Sequence, residues 1–321
     1  MDILLSGSVA YDYLMKFPGL FHEQILPERL QNISLSFLVE SMTRQRGGIA
    51  PNIGYTLALL GQKPRLMAAV GEDFGDYRTW LEQVGIDTTW AKVIPGKFTA
   101  SFFATTDNVN AQIASFYPGA MAHAAELSLR AMDKRPDLVV ISPDDPTAMK
   151  NRAAECRDLK IPYLYDPSQQ ILRLEGHEIA RDMDGAHFLF VNDYEFGLIA
   201  KKTGLDLAGM LQHVDIIVIT KGAEGAVIYA DGEEIIVPVT PEERIVDPTG
   251  VGDAFRGGFL AAYARGFDWA LCGQVGSLAA VYVLEQNGTQ NHHYTREQFV
   301  KRFREHYDDG GKLNQLLDVS N

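Results

Sequence analysis

The stretch DPTGVGDAFRGGFLAAYARG, residues 247–266, joins a loop to a helix and decides the fold around it. Its first half carries proline, threonine and two glycines, which are typical of turns and loops. Its second half places Phe255, Phe259 and Tyr263 at intervals of four residues, which gives a helix one apolar face. The stretch therefore predicts a glycine loop that leads into a buried helix, with the carboxylate of Asp253 at the junction.

Short apolar runs recur along the whole chain, with helical patterns between them. The runs are residues 3–5, 65–70, 138–141, 162–165, 188–191 and 216–220. Most are continuous rather than alternating, which is typical of parallel strands covered on both faces. Helical patterns occupy segments such as 74–84, 147–157 and 195–202. This alternation predicts an α/β layered fold with a mostly parallel central sheet.

Two stretches, residues 17–39 and 98–116, break the alternation. Both are rich in Phe, Ile, Leu, Ser and Thr, and residues 100–104 alternate with a period of two. We interpret them as antiparallel strands of one small appended sheet, a lid that spans about residues 13–40 and 97–117. The alternative is that they extend the main sheet. Since no linker or repeat stands out, we expect a single domain over residues 1–321.

Composition excludes several classes of protein. The chain has 321 residues, of which 46% are hydrophobic, enough for a large core. A formal net charge of -13 argues against nucleic acid or an anionic membrane as the partner. The two cysteines, Cys156 and Cys272, do not predict a disulfide framework or a cysteine zinc site. With no signal-peptide pattern and no long apolar run, we expect a cytoplasmic protein.

The carboxylate at the loop–helix junction has two interpretations. The first N–H groups of a helix lack partners within the helix, and with the helix dipole they attract an anion. Asp253 either caps the helix itself, or accepts the proton of a hydroxyl that attacks a bound phosphoryl group. Gly250 and Gly252 would let that phosphate approach the backbone closely. Neither a Walker loop nor the motif set of protein kinases is present.

A second junction, RGGIAPNIGYTLALLG at residues 46–61, again runs from a glycine pair into a helix. Gly47 and Gly48 would expose backbone to a ligand. Asn52, one turn into the helix, carries both a donor and an acceptor, which suits paired sugar hydroxyls. The alternative for Asn52 is a polar residue on the solvent side of the helix. Two such junctions in one chain favour a binding site.

These motifs resemble the two signatures of the PfkB family, the ribokinase-like sugar and nucleoside kinases. GSVAYD, ending at Asp12, resembles the family's first strand and the acid that binds substrate hydroxyls. VNDYE at residues 191–195 resembles its N-x-x-E element, and TKGAEGA at residues 220–226 its nucleotide-binding strand and turn. The resemblance covers essentially the whole chain and implies a ribokinase-like three-layer αβα fold with a small β lid.

Finer resemblance points to bacterial adenosine kinases within the family, through residues 10–39, 105–121 and 247–258. It implies that ATP gives its γ-phosphate to the 5′-hydroxyl of adenosine, with Asp253 as the general base. The anion hole would be the amides of Gly250, Val251 and Gly252. The ribose would be bound by Asp12, Gly48 and Asn52. Magnesium would be held through water by Asn192 and Glu195. The ATP side would be lined by Thr220, Gly222 and Gly225.

Some positions depart from the family pattern or stay open. Val251 stands where the family has a small residue. Arg256 would either reach phosphate or be an exposed helical arginine. Asp166, at a strand end where open α/β sheets place ligands, is a candidate substrate-binding residue. Gln112 is another candidate, with an exposed strand glutamine as its alternative. The adjacent histidines 292 and 293 predict a surface pair rather than a metal site, since they lack partners at ligand spacing.

Three functions remain open from the sequence. They are an adenosine kinase, a kinase for another nucleoside or a sugar, and a non-catalytic nucleoside-binding protein on the same fold. The intact Asp253 and glycine loop argue against the binder, because binding alone needs no base. The sequence leaves open a homodimer through the lid and a potassium requirement, which some members of the family have.

Overall fold

A computed structural model gives the fold of residues 1–25, 31 and 34–317, and these residues form thirteen strands. In chain order the strands are β1 Ile3–Ser6, β2 Ala10–Lys16, β3 Ser41–Gly47, β4 Arg65–Val70, β5 Asp87–Val93, β6 Ala100–Thr106, β7 Gln112–Tyr117, β8 Leu138–Ile141, β9 Tyr163–Tyr165, β10 Ala186–Asn192, β11 Val214–Thr220, β12 Ala226–Ala230 and β13 Glu233–Val237. Nine of them form the main sheet in the order β13-β12-β11-β10-β9-β8-β1-β4-β5. Seven strands are parallel, and β12 and β13 add an antiparallel edge.

Eleven helices are present in the described part of the chain. They are α1 Phe21–Gln24, α2 Ile49–Leu59, α3 Gly75–Gln83, α4 Pro146–Leu159, α5 Gly176–Met183, α6 Asp193–Thr203, α7 Leu207–Met210, α8 Val251–Tyr263, α9 Trp269–Leu284, α10 Arg296–His306 and α11 Asn314–Leu317. The helices predicted at 74–84, 147–157 and 195–202 are therefore confirmed as α3, α4 and α6.

The main sheet is buried between two helical layers, and this explains its continuous apolar strands. In β1, Ile3 and Leu5 belong to the core that α2, α8, α9 and α10 cover, whereas Leu4 belongs to the core beneath α4, α5 and α6. The same alternation holds along β10, where Phe188 faces the first layer and Leu189 the second. Because each strand is covered on both faces, the residues that point to either face are apolar. The predicted three-layer α/β fold is confirmed.

Helix α8 lies very close to its two neighbours because it carries adjacent glycines on its packed faces. A Cβ on Gly257 would stand 2.6 Å from Thr56 Cβ in α2, and one on Gly258 would stand 2.7 Å from the Val275 carbonyl oxygen in α9. Any side chain would push these helices apart. The close packing fixes the amino-terminal end of α8 beside the amino-terminal end of α2.

Four strands form the lid, in the order β3-β2-β6-β7. Strands β2 and β6 are parallel, and the other two pairings are antiparallel. The predicted segment 98–116 contains the β6–β7 hairpin, so the interpretation as lid strands is confirmed there. The sheet is separate from the main sheet, so the alternative that these segments extend the main sheet is wrong.

The prediction of strands within residues 17–39 is wrong for the residues that the structure describes, and residues 26–30, 32 and 33 lie outside them. The lid strands β2 and β3 lie on either side of this segment. Its apolar character has another cause, a cluster of three aromatic rings. Phe17 stacks on Phe21 at 5.4 Å between centroids, and Phe37 meets both rings edge-on. Strand β3 is mostly polar, so the sequence there lacks the alternation of apolar and polar residues that would have predicted a strand.

Across the described ranges, no helix has the length and apolar character needed to cross a bilayer.

We expect Phe259→Ala to lower the free energy of unfolding by about 3–5 kcal/mol, since it removes a fully buried ring. Phe259 is 0% exposed, meets the Phe190 ring edge-on at 5.0 Å, and stacks on Trp269. Urea titration would measure the loss. Leu172→Ala, at a side chain that is 66% exposed, is the control and should change stability by less than about 0.5 kcal/mol. A loss below about 1 kcal/mol for Phe259→Ala would contradict this description of the core.

Candidate active site

The candidate residues converge at the carboxyl edge of the main sheet, where parallel strands of open α/β proteins place ligands. Asp166 directly follows β9, Asn192 ends β10, and Thr220 ends β11. Asn192 and Thr220 are direct partners in the parallel β10–β11 pair. The amino-terminal end of α8 lies at the same edge, because Arg256 in α8 donates a hydrogen bond of 2.7 Å to Asp166.

The loop before α8 is held in shape by Asp247. One carboxylate oxygen accepts the Thr249 amide at 2.9 Å, and the other accepts the Gly288 amide at 3.1 Å. Gly250 caps the helix in the left-handed region, at φ +79°. The Val251 side chain packs against the core. The Val251 amide lies 3.4 Å from the Pro248 carbonyl oxygen. The anion-hole role of these amides stays a prediction.

Asp253 stands in the first turn of α8 and is half-buried. Its Oδ2 accepts a hydrogen bond of 2.8 Å from Nδ2 of Asn52, in the first turn of α2. Burial raises the pKa of Asp253 to about 6, against the opposing effects of Arg256 and of the Asn52 hydrogen bond. Glu195 raises this pKa further. A carboxylate with a pKa near 6 can both lose and accept a proton near neutral pH, as general base catalysis requires.

The alternative that Asn52 lies on the solvent side of its helix is wrong, because Asn52 is only 6% exposed. Its Oδ1 accepts a hydrogen bond of 2.9 Å from Nε2 of Gln290. Gln290 also donates to the Tyr77 hydroxyl, which in turn donates to the Gly47 carbonyl oxygen at 3.0 Å. The sequence analysis missed Gln290, since nothing in the loop NGTQN around it signals contact with residue 52.

The glycine pair before α2 is required by close packing. Gly48 has φ +94°, and a Cβ there would stand 2.5 Å from the Ser8 carbonyl oxygen and 2.7 Å from the Ala10 amide nitrogen. A side chain on Gly47 would overlap the carboxylate of Asp12. Burial raises the pKa of Asp12 to about 6, with a further contribution from Asp247. Asp12, Gly48 and Asp247 therefore share one small region.

Arg256 is not an exposed helical arginine, because it is only 7% exposed and forms a buried ion pair. Its Nη2 donates to Oδ1 of Asp166 at 2.7 Å, and Asp166 is 0% exposed. Burial raises the pKa of Asp166, while Arg256 opposes the rise. The guanidinium lies against the first turn of α8, 2.9 Å from where a Cβ on Gly252 would stand. The local sequence around Arg256 could not show this ion pair, since Asp166 is 90 residues away.

The N-x-x-E element forms a capping box at the start of α6. Asn192 Oδ1 accepts the Glu195 amide at 2.8 Å, and Glu195 Oε2 accepts the Asn192 amide at 2.9 Å. The Glu195 charge also faces the site, since it raises the pKa of both Asp166 and Asp253. Within the described residues no three acidic, histidine or cysteine side chains form a group that could hold a metal. One carboxylate here suits a magnesium ion held mainly by phosphate and water.

The predicted ATP-side residues form the turn between β11 and β12. Thr220 ends β11, and the Lys221 amide donates to the Gly225 carbonyl oxygen at 2.8 Å to close the turn. Gly222 and Gly225 have φ of +56° and +86°, which glycine adopts without strain. Their binding role stays a prediction.

Two further positions lie apart from this group. Gln112 is exposed and donates to the Thr106 hydroxyl at 3.3 Å. Gln112 is level with Lys16 across the lid strands. Lys16 lies four residues along β2 from Asp12, so Gln112 is about 13 Å along the strand direction from Asp12. The prediction of a surface histidine pair is wrong for His292, which is 1% exposed. Burial lowers the pKa of His292 to about 4.

Comparisons with known proteins show the family of this chain. A family model described as pfkB family carbohydrate kinase matches residues 12–296. The chain belongs to the pfkB family of carbohydrate kinases. The predicted family is thereby confirmed, and so is the prediction that the chain is an enzyme, a phosphotransferase with a hydroxyl acceptor.

Similar members of the pfkB family carry the name nucleoside kinase. One from Methanothermobacter thermautotrophicus is 32% identical, covering 94% of this chain and 95% of that protein. A solved structure of the Burkholderia thailandensis nucleoside kinase in complex with inosine is 34% identical, with a TM-score of 0.85 over 95% of this chain and 97% of that one. A structure of the same kinase in complex with ADP-inosine is 36% identical, with a TM-score of 0.82 over 95% and 96% of the two chains.

We expect Arg256→Met in this pfkB kinase to lower stability by about 3–5 kcal/mol at pH 8, since it leaves the Asp166 charge buried without a partner. The loss should shrink as the pH falls. Burial raises the pKa of Asp166, so its protonated form favours the folded state, and stability falls as the pH rises through that raised pKa. Urea titrations at pH 6 and pH 8 would measure both effects.

The double variant Arg256→Met, Asp166→Asn should be more stable than Arg256→Met alone, because it removes both charges. Arg130→Met is the control, since its ion pair with Asp158 is more than half exposed and contributes little. A double variant no more stable than the single one would show that the Asp166 charge is not the cause.

Proposed function

We propose that this kinase transfers the γ-phosphoryl group of ATP to the 5′-hydroxyl of a nucleoside, with Asp253 as the general base. The observation that carries the proposal is the joint position of Asp253 and Asn52, where a proton acceptor and a sugar-binding amide meet at two helix ends. The relatives named nucleoside kinase and the inosine complex support a nucleoside as the acceptor.

In this mechanism the ribose hydroxyls bind to Asp12, to Asn52 and to the backbone at Gly48. The 5′-hydroxyl gives its proton to Asp253 as its oxygen forms a bond to the γ-phosphorus. The bond from that phosphorus to the bridging oxygen breaks, and ADP leaves with the electron pair. Negative charge on the transferred group is stabilised by the amides at the start of α8 and by the Arg256 guanidinium. Closure of the lid excludes water from the step.

Residues at the ends of β10 and β11 support the nucleotide side of the proposal. The turn around Gly222 and Gly225 presents backbone at the same edge as Asp253. Val239, Ile245 and Val246 between β13 and α8 are at least 39% exposed, which suits contact with a purine ring. Asn192 and Glu195 would hold magnesium through water, and the ion would neutralise phosphate charge. A potassium requirement stays open.

The identity of the nucleoside depends on the inner face of the lid. Asp12 faces the same side as Phe102 and Phe116, because these three residues are direct partners across β2, β6 and β7. Phe116 is 51% exposed and free to stack on a base. Two aromatic rings beside a ribose-binding acid suit a purine nucleoside. Adenosine, which the lid segments resemble, is the substrate that we propose, with inosine as the next candidate.

We also propose a homodimer that forms through the outer face of the lid, the face opposite Asp12. Tyr13 stacks on Phe103 at 4.8 Å on this face, and Met42 and Ile113 beside them are 64% and 42% exposed. An apolar face of this kind suits a second copy of the lid.

A substrate panel tests the function. With ATP and magnesium, we expect turnover of adenosine and inosine at higher kcat/KM than cytidine, ribose or fructose, because a purine offers the larger ring face for stacking on Phe102 and Phe116. A coupled assay of ADP release would measure it. Turnover of ribose or fructose without any nucleoside turnover would mean that the acceptor is a free sugar.

We expect Asp253→Asn to lose about 10²–10⁴-fold in kcat while still binding nucleoside and ATP. Asparagine keeps the shape and can still accept from Asn52, and it caps a helix about as well as aspartate. Parent activity should fall below about pH 6, where Asp253 takes up a proton. Asp158→Asn, on the surface, is the control and should keep full activity.

The stability of the same variant checks that a loss of kcat is not a loss of folding. Burial raises the pKa of Asp253 from its ordinary 3.8 to about 6, so its protonated form favours folding. This contribution is complete below about pH 4 and is lost as the pH rises through 6. At pH 8, Asp253→Asn should therefore melt no lower than the parent. A variant with kcat within about threefold of the parent would reject Asp253 as the general base.

A further inference from the structure

Gln290 lies in the loop between α9 and α10 and is 4% exposed. Its Nε2 donates to Oδ1 of Asn52 at 2.9 Å and to the hydroxyl of Tyr77. Its Oε1 accepts from the indole N–H of Trp80 at 3.3 Å. Both ends of the Gln290 amide are therefore bonded, and a buried side chain bonded at both ends has one orientation.

The fixed orientation of Gln290 decides the orientation of Asn52. The two ends of an asparagine amide have nearly the same shape, but one end only accepts hydrogen bonds and the other only donates. Because Gln290 presents N–H, Asn52 must turn its Oδ1 toward Gln290. Its Nδ2 then points to Asp253, where it donates to Oδ2 at 2.8 Å. The reverse orientation would set Oδ1 of Asn52 against the carboxylate, which only a protonated Asp253 could tolerate.

Resting on the proposed function, we propose that Gln290 is a positioning residue for phosphoryl transfer: through Asn52 it keeps the Asp253 carboxylate ionised and ready to accept a proton. Gln290 would act on Asp253 only through the side-chain amide of Asn52. The proposal adds a residue from the carboxyl-terminal part of the chain to a site otherwise built by the two glycine junctions.

Other charges also act on Asp253, and none of them replaces this hydrogen bond. Arg256 on α8 favours the ionised form, but its Nη2 bonds to Asp166. Glu195 on α6 disfavours the ionised form. Asp253 in turn raises the pKa of Asp166, which follows β9. Burial disfavours it most strongly. Asn52 is the uncharged group that donates directly to the carboxylate, so its orientation should move the proton affinity of Asp253 measurably.

The test is the protonation of Asp253 in the free protein, followed by carbon-13 NMR of its side-chain carboxyl, with the signal assigned by its loss in Asp253→Asn. In Gln290→Glu, the new carboxylate only accepts, so Asn52 turns its Nδ2 toward it and its Oδ1 toward Asp253. We expect the pH at the midpoint of the Asp253 titration to rise by at least about one unit. Gln290→Met, which cannot hydrogen-bond at all and adds no charge, should raise it by a smaller amount.

Tyr77→Phe is the matched control. It removes a hydroxyl that also bonds to Gln290, and it leaves the Gln290–Asn52 hydrogen bond in place. We expect its midpoint to match the parent. An unchanged midpoint in both Gln290 variants, or an equal rise in Tyr77→Phe, would overturn the proposal. A shift of one pH unit should also lower kcat/KM tenfold on the acid side of the pH profile.

The two measurements separate this inference from the proposed function. A midpoint that moves in NMR while the pH profile of activity stays fixed would uphold the link from Gln290 to Asp253 but reject Asp253 as the base. A midpoint that stays fixed in an active enzyme would reject the role of Gln290 and leave the kinase assignment intact.

Discussion

One hydrogen bond, from Asn52 Nδ2 to Asp253 Oδ2, joins residues 201 positions apart and brings the two glycine junctions together. The rest of the site depends on the packing that permits it. Helix α8 approaches α2 and α9 closely because Gly257 and Gly258 carry no side chains there. Main-sheet burial on both faces then sets α2 and α8 in one layer, with their first turns side by side.

The charges around Asp253 show why the site suits a cation beside a bound phosphate. Asp166, Glu195 and Asp253 carry three negative charges when ionised, and Arg256 carries one positive charge. Burial makes this excess unfavourable, which is why the pKa of both aspartates is raised. Under the proposed function, the magnesium ion that accompanies ATP would offset part of this negative charge beside the phosphates.

Much of the fold was predictable because burial on both faces leaves a local signal, as in the continuous runs of β1, β8 and β10. The apolar stripe of α8 was readable for the same reason. The polar strand β3 and the aromatic cluster of Phe17, Phe21 and Phe37 gave misleading local patterns. Arg256, His292 and Gln290 could not be placed, because their burial depends on neighbours far along the chain. Sequence periodicity reports which face is covered, but not which distant residue covers it.

The long separations within the site also bear on how the protein is made. The Thr289 hydroxyl bonds to the Arg46 carbonyl oxygen across 243 positions, and Gln290 reaches Asn52 across 238. A nascent chain leaves the ribosome from its amino terminus, so these two hydrogen bonds can form only after residues 289 and 290 have emerged. A chain that stops short of residue 290 therefore lacks the amide that orients Asn52.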